Sequence, residues 1–98
     1  MTVLISRGYG AGWSTWNIPE IAVDPRVVKA FEEGASEEEM LQFCQEWGLT
    51  DEYGTLYMGG YDEIEVVDVP TGTLFTIRVY DGSEYIETFD EKKWFRAE

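Results

Sequence analysis

The chain has 98 residues, 44% of them hydrophobic and 15% aromatic, which is enough for one domain with a modest core and too apolar for a disordered chain. A net charge of −13 disfavours direct binding to nucleic acid or to an anionic membrane and leaves basic surfaces, cations or neutral molecules as partners. The single cysteine excludes an internal disulfide, and the lack of histidine argues against a zinc site or a histidine-dependent triad.

The first half of the chain predicts one strand followed by two helices. The β-branched run 2–6 predicts a buried strand that ends at Arg7 and a glycine-rich segment. This apolar start is too short for a signal peptide or a spanning helix, so we expect a cytoplasmic protein. Asp24 and Pro25 predict a helix over residues 25–33 that ends at Gly34. A second helix is predicted to begin at the capping box Ser36–Glu39 and to end at Gly48.

The second half reads as β structure. Residues 64–69, 74–80 and 84–89 predict a three-stranded meander with a tight hairpin at Asp81-Gly82, and residues 56–58 predict a further short strand. The alternation at 74–80 predicts one apolar face, which we expect the helices to cover. The predicted fold is a single α+β domain: an antiparallel sheet of about four strands, with the first strand paired to the meander and two helices packed on one face.

The segment from Arg7 to Asn17, called here the Gly/Trp loop, is the most unusual part of the sequence. It combines alternating glycines with aromatic rings, hydroxyls and a cation, a set that could stack on a planar ligand or bind an anion. It lacks the final glycine of a dinucleotide fingerprint and the Gly-Lys-Ser/Thr of a phosphate loop. The tryptophans could equally be core residues. The candidate ligand-binding residues are Arg7, Gly8, Tyr9, Gly10, Gly12, Trp13, Ser14, Thr15, Trp16 and Asn17.

Acidic residues dominate the middle of the chain, where no lysine or arginine occurs between Lys29 and Arg78. The net charge exceeds the magnitude of about 2–8 that solubility requires of a small domain. One explanation is an acidic surface that mimics nucleic acid and occupies a basic site on a partner, and another is a merely solvated surface. The candidate partner-binding residues are Glu32, Glu33, Glu37, Glu38, Glu39, Asp62, Glu63 and Glu65.

No residue set predicts catalysis, a cofactor or a metal site. Cys44 lies at helical spacing with Met40 and Trp47, which indicates a core residue, and no histidine is present to activate its thiol. Neighbouring carboxylates such as Asp62 and Glu63 lack the ligand spacing of a calcium loop. We therefore expect a binding protein and not an enzyme.

Two strings resemble small uncharacterised proteins of bacteriophages and prophages: Ser6–Asn17 (SRGYGAGWSTWN), and the hairpin region from Val66 to Glu84, with its VVDVPTGTLFTI and YDGSE segments. The resemblance covers both ends of the chain and not the helical middle. It implies a phage accessory protein in the host cytoplasm and carries over no catalytic residues. By analogy, it favours an inhibitor of a host defence or nucleic-acid-handling protein.

Three hypotheses follow. The first is a non-enzymatic inhibitor whose acidic surface binds a basic surface of a host protein. The second is a module that binds a nucleotide-like ligand through the Gly/Trp loop, with help from the basic tail residues Lys92, Lys93 and Arg96, between the subunits of a homodimer. The third is a small structural or regulatory phage protein.

Overall fold

The computed structural model describes residues 1–89 and residue 97, and it confirms the predicted α+β class with two helices and four antiparallel strands. The basic tail residues Lys92, Lys93 and Arg96 lie outside the described residues. The elements are, in order, β1 (Thr2–Ser6), a first 3₁₀ helix (Pro19–Ala22), α1 (Pro25–Glu32), α2 (Glu37–Glu46), a second 3₁₀ helix (Tyr61–Glu63), β2 (Ile64–Asp68), β3 (Phe75–Tyr80) and β4 (Ser83–Thr88).

Both α-helices begin where their capping residues predict. The Asp24 carboxylate accepts a hydrogen bond from the Arg26 backbone N–H, and Pro25 occupies the first turn of α1. Ser36 and Glu39 form the predicted capping box, each side chain accepting a hydrogen bond from the other residue's backbone N–H. Within the described part of the chain, no helix is long and apolar enough to cross a membrane.

The strands pair differently from the predicted four-stranded sheet. β1 pairs with β2, as expected, with Thr2 opposite Asp68 and Ser6 opposite Ile64. β3 and β4 form a separate antiparallel hairpin, whose turn residues Asp81 and Gly82 both have positive φ, as a type I′ turn requires. The described strands therefore form two two-stranded sheets and no meander, and residues 56–58 form no strand.

The position of β1 explains this division. Leu4 packs into a core with the helices and Trp13, whereas Val3 and Ile5 pack against Ala22 and the hairpin. A run of consecutive apolar residues is typical of a strand buried on both faces. The expectation that the helices cover the apolar face of β3 is therefore wrong. β1 and the first 3₁₀ helix cover that face, because the helices already occupy the opposite side of β1.

Candidate functional site

The carboxylate of Glu84 fastens the Gly/Trp loop to the hairpin. Glu84 lies at the start of β4 and its side chain is completely buried. Its Oε1 accepts a hydrogen bond from the Ser6 backbone N–H at 2.8 Å. Its Oε2 accepts from the Ser14 hydroxyl at 3.0 Å and from the Thr15 backbone N–H at 2.7 Å. A buried carboxylate requires such donors, so Glu84 holds β1, the loop and β4 in one arrangement.

Backbone hydrogen bonds also hold the Gly/Trp loop against the hairpin turn. The Gly12 N–H donates to the Gly82 carbonyl at 2.6 Å, and the Gly10 N–H donates to the Asp81 carbonyl. A Cβ atom on Gly82 would overlap the backbone of Gly10 and Ala11, so only glycine permits this approach. These glycines therefore serve a tight crossing of two chain segments, one of the two interpretations that the sequence left open.

Trp13 is a core residue. Its side chain is completely buried and its ring makes an edge-on contact with Tyr61, with 6.4 Å between the ring centroids. It also belongs to the helix-side core with Leu4 and Met40. In this arrangement Trp13 stabilises the domain and presents no ring to a ligand.

The polar ends of the loop also make internal contacts. Arg7 forms an ion pair with Glu65 at 3.0 Å and donates to the Glu84 carbonyl at 3.1 Å. The Asn17 side chain accepts from the Tyr57 backbone N–H at 2.7 Å and donates to the carbonyls of Trp13 and Tyr57. Arg7, Asn17, Ser14 and the Thr15 N–H are thus all engaged within the chain, which leaves few loop donors for an anionic ligand.

Two aromatic rings of the loop remain at the surface. Tyr9 is 75% exposed. Trp16 is 51% exposed and lies beside Tyr57, with 5.8 Å between ring centroids. A partner could reach both rings.

Three of the acidic candidates, Glu37, Asp62 and Glu63, come together from two distant parts of the chain. The Tyr61 hydroxyl donates to the Ala35 carbonyl at 2.6 Å, which holds the second 3₁₀ helix against the connection between α1 and α2. Burial raises the pKa of Tyr61 to about 12, and the negative charges of nearby acidic groups add to that shift. The candidates Glu32, Glu33, Glu37, Glu38, Glu39, Asp62, Glu63 and Glu65 are all exposed.

A groove lies between these two acidic segments and the Gly/Trp loop, and we call it the acidic groove. Its volume is about 320 Å³. Its charged and aromatic walls come from Tyr9, Glu37, Tyr61, Asp62 and Glu63. Small residues, among them Gly8 and Gly60, also line it, and no lysine or arginine does. The fold therefore places three carboxylates and an exposed aromatic ring around one opening.

Glu65 differs from the other acidic candidates because Arg7 neutralises it. Within residues 1–89, the ion pairs involve Asp24, Glu65, Asp68 and Glu87, and none of them includes a carboxylate of the acidic groove. The charge of the groove is thus uncompensated by the described part of the chain.

Neither a reactive thiol nor a metal cluster is present among the described residues. Cys44 is completely buried in the helix-side core, as predicted, and burial raises the pKa of its thiol to about 11. In the part of the chain that the structure describes, no three cysteine, aspartate or glutamate side chains lie together as metal ligands would.

Sequence reasoning missed Glu84, although a signal was available. Within the third predicted β segment, alternation places Glu84 on the same face as Ile86, which packs inward. An acidic residue on an apolar face predicts a buried carboxylate that needs donors. In the structure those donors are the Ser14 hydroxyl and the backbone N–H groups of Ser6 and Thr15.

Comparison with protein families, with curated proteins and with solved structures finds no match for this chain.

Proposed function

We propose that this chain is a non-enzymatic binding protein that inhibits a basic partner through the acidic groove. The proposal depends on one observation: Glu37 and the adjacent pair Asp62 and Glu63, from two distant segments, surround one groove together with the exposed ring of Tyr9. A lysine or arginine side chain is the natural occupant, because it pairs with carboxylates and stacks on an aromatic face.

Long-range charge supports the same proposal. The net charge of −13 attracts a basic protein before contact, and the carboxylates around α1 and α2 extend the negative surface beyond the groove. Basic sites that normally hold nucleic acid are the surfaces that such a field fits best. With the resemblance to phage proteins, this makes a host nucleic-acid-handling or defence protein in the host cytoplasm the proposed target.

A charge-matched pair of double variants tests the proposal. Asp62→Lys with Glu63→Lys removes two groove carboxylates, whereas Glu46→Lys with Glu52→Lys changes the net charge equally at exposed sites outside the groove. Each variant is immobilised and used to capture proteins from bacterial lysate at about 0.05 M and about 0.5 M salt, since screening weakens exposed charge pairs.

We expect the wild type and the Glu46/Glu52 variant to retain the same basic protein at low salt, and the Asp62/Glu63 variant to lose it. Equal capture by both variants would contradict the groove as the site, and retention of no basic protein by the wild type would contradict the function.

The alternative of a nucleotide-like ligand depends on the exposed ring of Trp16 beside Tyr57, which could stack on a base. Trp16→Ala should abolish retention of such a molecule on the purified protein, as detected by mass spectrometry. If the wild type retains no small molecule, this alternative is wrong.

A further inference from the structure

The outer edge of β3 is open within the described residues. The Phe89 N–H donates to the Leu74 carbonyl at 2.8 Å, which makes that pair a hydrogen-bonded one. Hydrogen-bonded and non-bonded pairs alternate along an antiparallel ladder, so Phe75, Ile77 and Val79 direct their backbone N–H and C=O groups away from β4. Neither sheet pairs another described strand with this edge.

A groove of about 600 Å³, here the edge groove, runs beside this edge. One wall is β3 from Phe75 to Val79, and the other includes Thr15, Pro19 and Val23. Its charged lining residues are Glu20 and Arg78, one of each sign. The space is therefore open to the side chains of an added strand and carries no net charge.

We propose that the β3 edge binds the β3 edge of a second copy of this chain, forming a two-fold symmetric dimer with a continuous four-stranded sheet. The symmetry axis passes beside Ile77, so that Ile77 faces its own copy and Phe75 faces Val79 of the second copy. Arg78 then lies opposite Thr76 of the second copy, so no like charges are directly opposed.

The distribution of charge selects this edge. Two copies with a net charge of −13 repel each other, so contact between them is favoured where acidic residues are few and balanced by a cation, as Glu20 and Arg78 are in the edge groove. Between Pro70 and Tyr80 the only charged residue is Arg78, and Leu74 and Tyr80 are 70% and 73% exposed. The edge also lacks the proline, bulge or inward charge with which proteins usually protect such strands.

The outer edge of β2 provides a contrast. The Val69 N–H donates to the Met1 carbonyl, and the same alternation turns the N–H of Val66 outward. Here Glu65 and Asp68 lie within the strand. Arg7 and the N-terminal amine pair with them, and pairing with a second copy would have to desolvate these charged groups. The two edges thus offer similar backbone groups and differ in charge.

Sedimentation equilibrium of the full chain tests the proposal with a matched pair of variants. Val79→Pro and Val66→Pro each replace a valine whose N–H points to an open edge, so neither removes a hydrogen bond of its own hairpin or sheet. We expect Val79→Pro to raise the dimer dissociation constant at least about tenfold and Val66→Pro to change it less than about twofold. A monomer at about 300 μM wild-type protein, or equal effects of the two variants, would overturn the proposal.

Salt dependence separates this proposal from the proposed function. Dimerisation of like-charged copies should tighten between about 0.05 M and 0.5 M salt, whereas binding of a basic partner should weaken. Dimerisation that weakens with salt would overturn the β3 pairing and leave the acidic groove untouched.

Amide hydrogen exchange provides a readout that needs no substitution. The N–H groups of Phe75, Ile77 and Val79 should become protected as protein concentration rises, while those of Thr76 and Arg78, bonded within the hairpin, are protected throughout. If the N–H groups of Phe75, Ile77 and Val79 are never protected, the edge is unpaired and the proposal is overturned. If their protection does not depend on protein concentration, the edge is already covered within one chain, which also overturns it.

Discussion

Replacing Glu84 by glutamine should destabilise the domain far more than a change that only removes one negative charge. In the wild type, Oε1 accepts from the Ser6 N–H, and Oε2 accepts from the Ser14 hydroxyl and the Thr15 N–H. A glutamine side chain has the same shape but carries an NH₂ group in place of one oxygen. Whichever way the amide is turned, that NH₂ group faces a backbone N–H, so one donor is left without an acceptor.

The magnitude follows from these three bonds. Hydrogen bonds to a charged group contribute about 1.5–3 kcal/mol each, and a buried donor left unsatisfied costs about 1–3 kcal/mol. Allowing for partial rearrangement of the Ser14 hydroxyl, Glu84→Gln should lower the free energy of unfolding by about 2–4 kcal/mol. Glu84→Ala leaves all three donors without an acceptor and should lower the free energy of unfolding by about 3–5 kcal/mol, a large part of the stability of a small domain.

Urea unfolding followed by tryptophan fluorescence measures the effect, since Trp13 belongs to the affected loop and its ring lies in the core. Glu87→Gln is the matched control, because it removes the same charge from the same strand. Glu87 forms an ion pair with the exposed side chain of Arg78, so its loss should cost no more than about 1 kcal/mol. If Glu84→Gln and Glu87→Gln unfold at the same urea concentration, the buried carboxylate does not anchor the loop and this reasoning fails.

Three further predictions concern the loop, the first helix and the thiol. Gly12→Ala should lower the free energy of unfolding by about 2 kcal/mol or more in a thermal melt, because φ is +67° and the new Cβ would overlap the Trp16 ring. Gly10→Ala, with open space around it, should lower it by about 1 kcal/mol. Equal losses of stability would contradict the close contact between Gly12 and Trp16. Asp24→Ala should lower stability by about 1 kcal/mol at pH 7 through loss of the N-cap. The side-chain hydrogen bond with Arg26 lowers the pKa of Asp24. The Asp24 carboxylate therefore stabilises the fold above its unfolded-state pKa and loses that effect as pH falls through its folded-state pKa. A stability difference between Asp24→Ala and wild type that persists below that pH would contradict this. The Cys44 thiol, whose pKa burial raises to about 11, should not react with a thiol reagent at pH 8 until the chain unfolds, and rapid labelling of the folded protein would show that the helix-side core is open.

The helices and the hairpin turn were predictable because their signals are local. The Asp24-Pro25 start and the Ser36–Glu39 capping box each depend on hydrogen bonds between residues two or three positions apart. Likewise, Asp81-Gly82 specifies a tight turn through the backbone conformations that these two residues tolerate. These caps and turns depend on residues close together in the sequence, and distant residues contribute only packing contacts to them.

The acidic candidates were predictable in composition but not in arrangement. A stretch without lysine or arginine is visible in the sequence. That Glu37 and Asp62 line the same groove depends on the Tyr61 hydroxyl reaching the Ala35 carbonyl, a contact between residues 26 positions apart. No local rule connects those positions.

The sequence by itself determined the α+β class, the helix starts, the hairpin and the one-signed charge, since each follows from short-range hydrogen bonding or from composition. Tertiary structure alone decided that the strands form two sheets with β1 buried between the helices and the hairpin, and that Trp13 is core and Tyr9 is surface. It also decided that Glu84 binds donors 69 to 78 positions away. The physical reason is that a buried carboxylate or ring is defined by the surfaces that close around it, and those surfaces exist only once distant segments have packed.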